Sequence, residues 1–363
     1  MKINVLKTDL INGLKKVSSA TGTKSTIAVL SNILVTAKDG VLTLKGADTD
    51  LSIKTEISAE VEVEGTTTIP AKKFNEIIAK LPDGNISITS DENFQCFIKA
   101  SRSSFKIVGM NPNEFPDEKF PEENRVITLS RDLVVASLRK ISYATSDDDA
   151  RPVLNGVLFS IREGVLTTVA TDGRRMALVE KVIDADESLD GDTVIPMKAV
   201  NELIKSLGGE GDVKIYFSEN KAVFVTDKTV FSTLLVDGNY PNFRFVIPQA
   251  FNFSATLPRV DFIAALERVS LVLSESNLSI KVFFDKTSAL LQSSSTEVGK
   301  AEDSIQIDFN GEPMEITFNP KFLIGPLKNL DCDNLIIQIN DAGSPVALSG
   351  DEGFLYVIMP MRN

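Results

Sequence analysis

The sequence contains no histidine and only two cysteines, Cys96 and Cys332. The lack of histidine excludes Ser-His-Asp and Cys-His nucleophile systems, together with the usual zinc and non-haem iron sites. Two cysteines cannot form a disulfide framework or a four-ligand zinc site, and this usage fits a reducing cytoplasm. We therefore expect no metal and no cofactor, and only carboxylate or lysine chemistry stays open.

Long hydrophobic runs are also missing. No apolar stretch reaches membrane-spanning length, and the N-terminus alternates charged with apolar residues instead of forming a signal-peptide core. The chain is 43% hydrophobic and 24% charged, which is typical of a globular protein. At 363 residues it exceeds one ordinary core, so two or three domains are expected.

The chain contains internal repeats. Residues 29–50 align without gaps on residues 153–174, and both follow the pattern of strand, turn and strand. Inside this pair, DGVLTLKGADTD (39–50) and EGVLTTVATDGR (163–174) share Gly-Val-Leu-Thr and a later aspartate. The second copy continues into two arginines, and the role of these arginines is the question that the repeat raises.

Helical periodicity is repeated as well. The segments 69–81 and 195–207 both begin with Ile-Pro and place apolar residues at i, i+3, i+4 and i+7. Another amphipathic pattern occurs three times, starting at Leu10, Val134 and Phe262. Each repeat is therefore expected to contain two helices.

The third copy is fainter. Residues 281–296 take the place of the strand pair and residues 318–330 that of the second helix, which Pro326 should kink or shorten. The sequence therefore predicts an α+β protein of three tandem domains, each with antiparallel strands and two helices. The predicted domains are 1–122, 123–250 and 251–363.

Charge is distributed unevenly. The predicted helices together carry a net charge of +8 and the whole chain −12, so the rest of the chain carries −20. A general preference of helices for lysine would also explain this count. If the helices share one face, that face attracts polyanions through sequence-independent phosphate contacts, while the rest of the surface repels them. No base-reading motif is visible.

Four segments together resemble one known family. They are LSNILVTAKDG, LNGVLF with TVATDGRRMAL, LVDGNYPNFRFVIP and the terminal VIMPMRN. These segments resemble the bacterial sliding clamp, the β subunit of DNA polymerase III, over essentially the whole chain. The resemblance implies a non-catalytic processivity factor: a head-to-tail homodimeric ring of six domains, with helices inside, sheets outside and double-stranded DNA through the hole.

The resemblance also implies the partners of the chain. These are the polymerase III α subunit, the clamp loader, and other polymerases and repair proteins that carry short clamp-binding peptides. Two alternatives stay open, a protein-only scaffold and a carboxylate-based hydrolase around Asp48 and Asp172. The hydrolase lacks a converging set of catalytic groups, because Asp48 has no neighbouring arginines and Asp172 lies in an Asp-Gly turn.

The partner-peptide pocket that the resemblance implies has apolar walls and an arginine rim, which suit apolar anchors and a polar Gln-like residue. Its residues are Leu154, Thr171, Gly173, Arg174, Arg175, Met176, Pro241, Phe245, Val246, Asn319, Phe322, Val346, Val357, Ile358, Met359, Pro360, Met361 and Arg362. A last strand tucked into a core would also explain the tail. Several positions depart from the pattern of the family: Arg174, Phe245, Leu278, Pro345 and Asn363.

Two further surfaces follow from the resemblance. The expected DNA contacts are Lys24, Lys72, Lys73, Arg139, Lys140, Lys198 and Lys205. The expected ring seam pairs a basic edge with an acidic edge, although two solvated edge strands would also explain these charges. Its residues are Lys73, Lys99, Arg102, Phe105, Ile107, Val272, Leu273, Glu297, Glu302 and Asp303. The acidic run Asp147–Asp149 is interpreted as a solvated loop.

Overall fold

The structure is a computed structural model that describes residues 1–22, 27–117, 125–148, 150–274 and 278–361. These residues divide into two compact units. The first unit consists of Met1–Asp132 and Asn201–Leu235, and the second of Leu133–Val200 and Val236–Asn363. In the described part of the chain, no helix is long and apolar enough to cross a membrane.

The elements of the first part of the chain alternate between strands and two helices. In order they are β1 (Lys2–Leu6), α1 (Lys7–Ser18), β2 (Asn32–Lys38), β3 (Val41–Ala47), β4 (Leu51–Ser58), β5 (Glu60–Val63), β6 (Gly65–Pro70), α2 (Ala71–Lys80), β7 (Asn85–Ser90), β8 (Gln95–Ala100), β9 (Ser103–Val108) and β10 (Arg125–Ser130).

Nearly the same order recurs in the middle of the chain, beginning with β10 and with one strand fewer between the two helices. The elements are α3 (Arg131–Ile141), β11 (Gly156–Arg162), β12 (Val165–Thr171), β13 (Arg175–Val182), β14 (Gly191–Pro196), α4 (Met197–Ser206), β15 (Asp212–Phe217), β16 (Lys221–Val225) and β17 (Thr229–Leu234). As the shared Ile-Pro pattern predicted, α2 and α4 occupy matching places in the two copies.

The last part repeats the order a third time. It contains β18 (Phe253–Pro258), α5 (Arg259–Ser270), β19 (Ile280–Phe284), β20 (Ser288–Ser295), β21 (Gly299–Gln306), β22 (Asp308–Phe309), β23 (Met314–Phe318), α6 (Pro320–Leu327), β24 (Asn334–Ile339), β25 (Val346–Ser349) and β26 (Phe354–Ile358). The helix α6 ends at Leu327, directly after Pro326, so the predicted shortening is confirmed.

The tight turns follow the turn chemistry of the sequence. Asp39-Gly40 joins β2 to β3, and Glu163-Gly164 joins β11 to β12; all four residues have positive φ, as a two-residue hairpin requires. An Asp-Gly pair, which is typical of a hairpin turn, also occurs at 237–238, but here it does not form one. No strand follows it directly, because the chain continues into a short 3-10 helix at Phe243–Val246.

The strands of each unit form two antiparallel sheets. The first unit has the orders β5-β1-β7-β8-β9 and β10-β15-β16-β17-β4-β3-β2-β6. The second unit has the orders β14-β11-β12-β13-β26-β25-β24-β18-β22 and β21-β20-β19-β23. In both larger sheets, strands of neighbouring repeats pair directly, β4 with β17 and β13 with β26. The domain boundaries stay predictions, since these sheets continue across them.

The helices cover the sheets with one apolar face. In α1, Leu10, Leu14 and Val17 are buried, and the helix packs against β3 and β4. The contact is close, because a Cβ atom on Gly46 would lie 2.1 Å from the carbonyl oxygen of Val17. The charged residues of the helices lie mainly on the opposite, exposed face, as amphipathic helices require.

Candidate functional site

The loop between β12 and β13 is capped by its own aspartate. Asp172 Oδ1 accepts hydrogen bonds from the backbone amides of Arg174 and Arg175, at 2.9 and 3.0 Å. Thr171 Oγ1 accepts a further bond from the Gly173 amide, and Gly173 has a φ of 85°, which favours glycine. The geometry of the loop is therefore fixed by its own hydrogen bonds.

The two arginines that follow have different environments. Arg174 is exposed. Only 14% of the Arg175 side chain is exposed, and its Nε donates to Asp172 Oδ2 at 3.0 Å. Its guanidinium also donates to the Tyr143 carbonyl oxygen at 2.6 Å and lies 4.4 Å from the ring centroid of Phe322. We expected both arginines at the pocket rim, but the half-buried Arg175 side chain connects three segments of the second unit.

The chain end is fixed beside this loop. The Met359 amide donates to the Arg174 carbonyl oxygen at 3.0 Å, and the Met361 amide to the Thr317 carbonyl oxygen at 2.8 Å. The side chains of Met359 and Met361 are each 41% exposed. The Met359 bond extends the pairing of β26 with β13 by one hydrogen bond. The chain up to Met361 is not tucked entirely into a core, because both methionines stay accessible.

Several predicted pocket residues belong to the supporting core and not to the surface. Those at most 4% exposed are Leu154, Met176, Val346, Val357 and Ile358. Met176 and Val357 belong to one apolar cluster, against which Tyr240, Phe243 and Ile247 pack. The cluster holds the 240–247 segment against the sheet.

The remaining pocket residues are accessible to different degrees. Phe245 is 86% exposed and Val246 48%, and Pro241 is also exposed. The Asn319 side chain accepts a hydrogen bond from the Lys321 amide and so caps the start of α6. Phe322, in the first turn of α6, lies against the Arg175 guanidinium group. Pro360 is half-buried. Arg362 lies outside the described residues.

The predicted DNA contacts differ in how available their charges are. Lys72, Arg139 and Lys198 are exposed. Lys73 is exposed and pairs with Glu76 at 2.8 Å, and Lys205 pairs with Glu202 at 2.9 Å. Lys24 lies outside the described residues.

Lys140 does not fit the prediction of a free DNA contact. Only 19% of its side chain is exposed, and its ammonium group forms ion pairs with Asp351 and, at 3.5 Å, with Asp331. Its charge is therefore largely neutralised inside the second unit.

One basic cluster was missed from the sequence. Lys16 lies near Arg131 and Lys228, and burial together with these two positive charges lowers the pKa of its amine. The three residues come from distant segments, so no linear pattern could reveal the cluster. A region of positive potential results in the first unit.

Two sheet edges correspond to the predicted seam. β9 is the last strand of the five-stranded sheet, and β21 is the last strand of the four-stranded sheet. On β9, Phe105 is 37% exposed and Val108 65%, while Ile107 is half-buried. Edge strands of this kind offer unpaired backbone groups to another chain.

The remaining seam residues are placed beside these edges. Lys99 lies on β8 and Arg102 in the turn that follows, both exposed, so Lys99 is not on the edge strand itself. Val272 and Leu273 are half-buried after α5. Glu297 is exposed in a turn, Glu302 accepts from Gln292 at 2.8 Å, and Asp303 pairs with Arg268.

The carboxylates of the enzyme hypothesis have structural roles. Asp48 Oδ1 accepts from the Asp50 and Leu51 amides, as Asp172 Oδ1 does in the second repeat. Each carboxylate therefore shapes the equivalent turn of its own repeat. Across the described ranges, no three Cys, Asp or Glu side chains come together as a metal site requires.

The sequence matches three successive families. Residues 1–119 match the N-terminal domain of the DNA polymerase III beta subunit, residues 128–242 the central domain, and residues 244–362 the C-terminal domain. The chain is 32% identical to the beta sliding clamp of Chlamydia pneumoniae, over 100% of this chain and 99% of the relative. It is 29% identical to that of Bacillus subtilis, over 100% of both.

Solved structures agree with these matches. The crystal structure of the DNA polymerase sliding clamp from Bacillus subtilis has a TM-score of 0.95 at 28% identity, covering 100% of this chain and 99% of that one. A clamp from Bartonella birtlesii bound to griselimycin has a TM-score of 0.95 at 30% identity and covers 100% of both chains. The fold is thus that of a DNA clamp. The chain belongs to the family of DNA polymerase III beta subunits.

Proposed function

We propose that the chain is a DNA sliding clamp of bacterial replication, acting in the cytoplasm. Two copies close head to tail around double-stranded DNA and tether the polymerase III α subunit and other polymerases. The clamp loader and repair proteins dock through clamp-binding peptides. The full-length match to solved clamps at a TM-score of 0.95 carries this conclusion. The protein has no catalytic role.

The charges of the helices support sliding. With the observed helix bounds, the helices of the described chain still carry a net charge of +8. Exposed Lys72, Arg139 and Lys198 offer sequence-independent phosphate contacts, and the ion pairs of Lys73, Lys140 and Lys205 weaken the others. Weak, diffuse contacts allow a closed ring to move along DNA.

Topological linkage gives the direct test of encirclement. We expect protein that a clamp loader and ATP have placed on nicked circular DNA to stay bound during gel filtration, and to be lost once the DNA is cut to a linear form. The physical reason is that a closed ring can leave only over an end. Equal retention on both templates would refute encirclement.

The ring seam is proposed to bury the apolar part of β9. We expect Phe105→Asp to raise the dimer dissociation constant by roughly 30-fold or more, because central aromatic contacts dominate interface energies. Sedimentation equilibrium or native mass spectrometry measures this. Val182→Asp is the matched control, since Val182 is 87% exposed on β13 and lies outside the proposed seam. An equal effect of both variants would remove β9 from the seam.

The pocket is proposed to hold partner peptides. Met359 is accessible and its amide contacts the capped 172–174 loop, while Met361 and Phe245 are further accessible apolar residues of the second unit. The relative from Bartonella birtlesii was solved with griselimycin bound. The exposed Arg174 is the rim charge that remains, because Arg175 is engaged internally. The pocket therefore suits apolar anchors with a polar or acidic neighbour.

A further inference from the structure

We propose that the first unit contains a second peptide-docking cavity, beside the Asp48 turn, and that its ligand is an extended peptide with a basic residue next to an apolar one. The proposal rests on the proposed function only in treating the chain as a docking protein. The cavity has a volume of about 520 Å³. Its walls are the β3–β4 turn, Pro116–Asp117, the turn between β15 and β16, and the end of β17.

The backbone of this cavity repeats that of the predicted pocket. β4 pairs with β17 as β13 pairs with β26. The Leu234 amide donates to the Asp50 carbonyl oxygen at 2.8 Å, just as the Met359 amide donates to the Arg174 carbonyl oxygen at 3.0 Å. The side chains of Leu234 and Met359 are both 41% exposed. The same backbone arrangement therefore presents an accessible apolar side chain at the matching position of each unit, Leu234 in the first and Met359 in the second.

The turns and the covering segments correspond as well. Asp48 caps its turn through Oδ1 in the way that Asp172 does. Pro116 lines the cavity and is the counterpart of Pro241. The spacing between these two prolines equals the spacing between Leu234 and Met359. Three independent parts of the site thus recur together.

The chemistry of the two sites is inverted. Asp50 stands in the place of Arg174, and Leu51 in the place of Arg175. Leu51 is 3% exposed and forms part of an apolar floor with Ala47. A peptide with an acidic residue, suited to the Arg174 rim, would therefore be repelled by Asp50 here.

The accessible charges of the cavity are negative. Asp50 and Asp117 are exposed. Lys45 is half-buried, with its ammonium group 3.4 Å from the Pro116 carbonyl oxygen and 5.7 Å from the Phe115 ring centroid, and Lys221 is also half-buried. A lysine or arginine of the ligand can pair with the two exposed carboxylates while its apolar neighbour covers Leu234.

A display library of random linear peptides, selected on the full chain with Met359→Asp, tests the proposal. That variant disables the predicted pocket of the second unit and leaves the first unit unchanged. We expect the recovered peptides to share a basic and an apolar residue. By fluorescence anisotropy, Asp50→Lys combined with Asp117→Lys should weaken their binding about tenfold or more. Asp227→Lys, an exposed charge reversal away from the cavity, should not.

The outcomes separate this proposal from the proposed function. Recovered peptides that bind the Asp50→Lys, Asp117→Lys protein unchanged would overturn the second cavity, and so would a selection that yields no peptide. A labelled clamp-binding peptide with Gln and Leu anchors should bind wild type and the charge-reversed protein equally. If that peptide fails on wild type, the proposed pocket of the second unit is wrong, whatever the library gives. Thermal unfolding confirms that each variant is folded.

Discussion

Arg175→Ala is expected to destabilise the protein by about 3 kcal/mol and to abolish measurable binding of clamp peptides. The guanidinium group joins Asp172, the Tyr143 carbonyl oxygen and the Phe322 ring, and its removal leaves the Asp172 carboxylate largely buried without its cation. The 172–174 loop then loses the contacts that hold the Arg174 carbonyl oxygen in position to accept the hydrogen bond from the Met359 amide. Denaturant unfolding and fluorescence anisotropy measure the two effects.

Arg174→Ala is the matched control for this prediction. Arg174 is exposed, so we expect its removal to change the free energy of unfolding by less than about 0.5 kcal/mol. Adding Asp172→Asn to Arg175→Ala should recover part of the lost stability, because the buried negative charge is then gone while Oδ1 still caps the loop. Equal destabilisation by the two single arginine variants would contradict the role that we assign to Arg175.

Asp351→Asn is expected to lower the free energy of unfolding by about 3 kcal/mol at neutral pH. The carboxylate is 8% exposed and accepts hydrogen bonds from the Asp331 and Cys332 amides, in addition to its ion pair with Lys140. It therefore connects the end of α3 with the third repeat inside the second unit. Denaturant unfolding measures the change.

The effect of Asp351→Asn should depend on pH. Burial alone would raise the pKa of the Asp351 carboxyl, but the Lys140 pair and the backbone amides outweigh it and lower the pKa below its ordinary value of 3.8. A carboxyl with a lowered folded pKa contributes its stability above the unfolded pKa and loses it as pH falls through the folded value. The difference between wild type and Asp351→Asn should thus be full above about pH 5 and shrink below pH 4.

Asp331→Asn provides the control for the ion pair. Asp331 also lies near the Lys140 ammonium group, at 3.5 Å, but its side chain is 90% exposed. Exposed pairs contribute up to about 1 kcal/mol, so its loss should be small. A difference between wild type and Asp351→Asn that stays constant down to pH 3 would show that the ionised carboxylate is not what stabilises this junction.

The repeated secondary structure could be predicted from the sequence, because it depends on local periodicity. The apolar spacing after each Ile-Pro predicted helices at 71–81 and 197–207, and α2 and α4 extend over Ala71–Lys80 and Met197–Ser206. The faint third strand pair was also predicted at the right place, as β19 and β20. Element type follows from spacing within one segment.

Side-chain environments could not be predicted in this way, because they depend on pairs of distant segments. Arg174 and Arg175 are neighbours in sequence, yet only Arg175 meets Phe322 and Tyr143. In the sequence, Arg139 and Lys140 are two equivalent basic residues near the end of a helix. In the structure, Lys140 is the one that forms an ion pair with Asp351. The pocket positions that the resemblance implies stay a prediction, and the resemblance could not separate those in the supporting core from those on the accessible surface.

The pairing of β4 with β17 and of β13 with β26 has a mechanical consequence. Each of these junctions is in register over five residue pairs and is also covalently continuous through the chain. Separating the two strands of either junction requires several backbone hydrogen bonds to break together. The contact between two copies has no covalent link behind it. A closed ring under strain should therefore open at the contact between two chains, while the paired strands within each unit stay together.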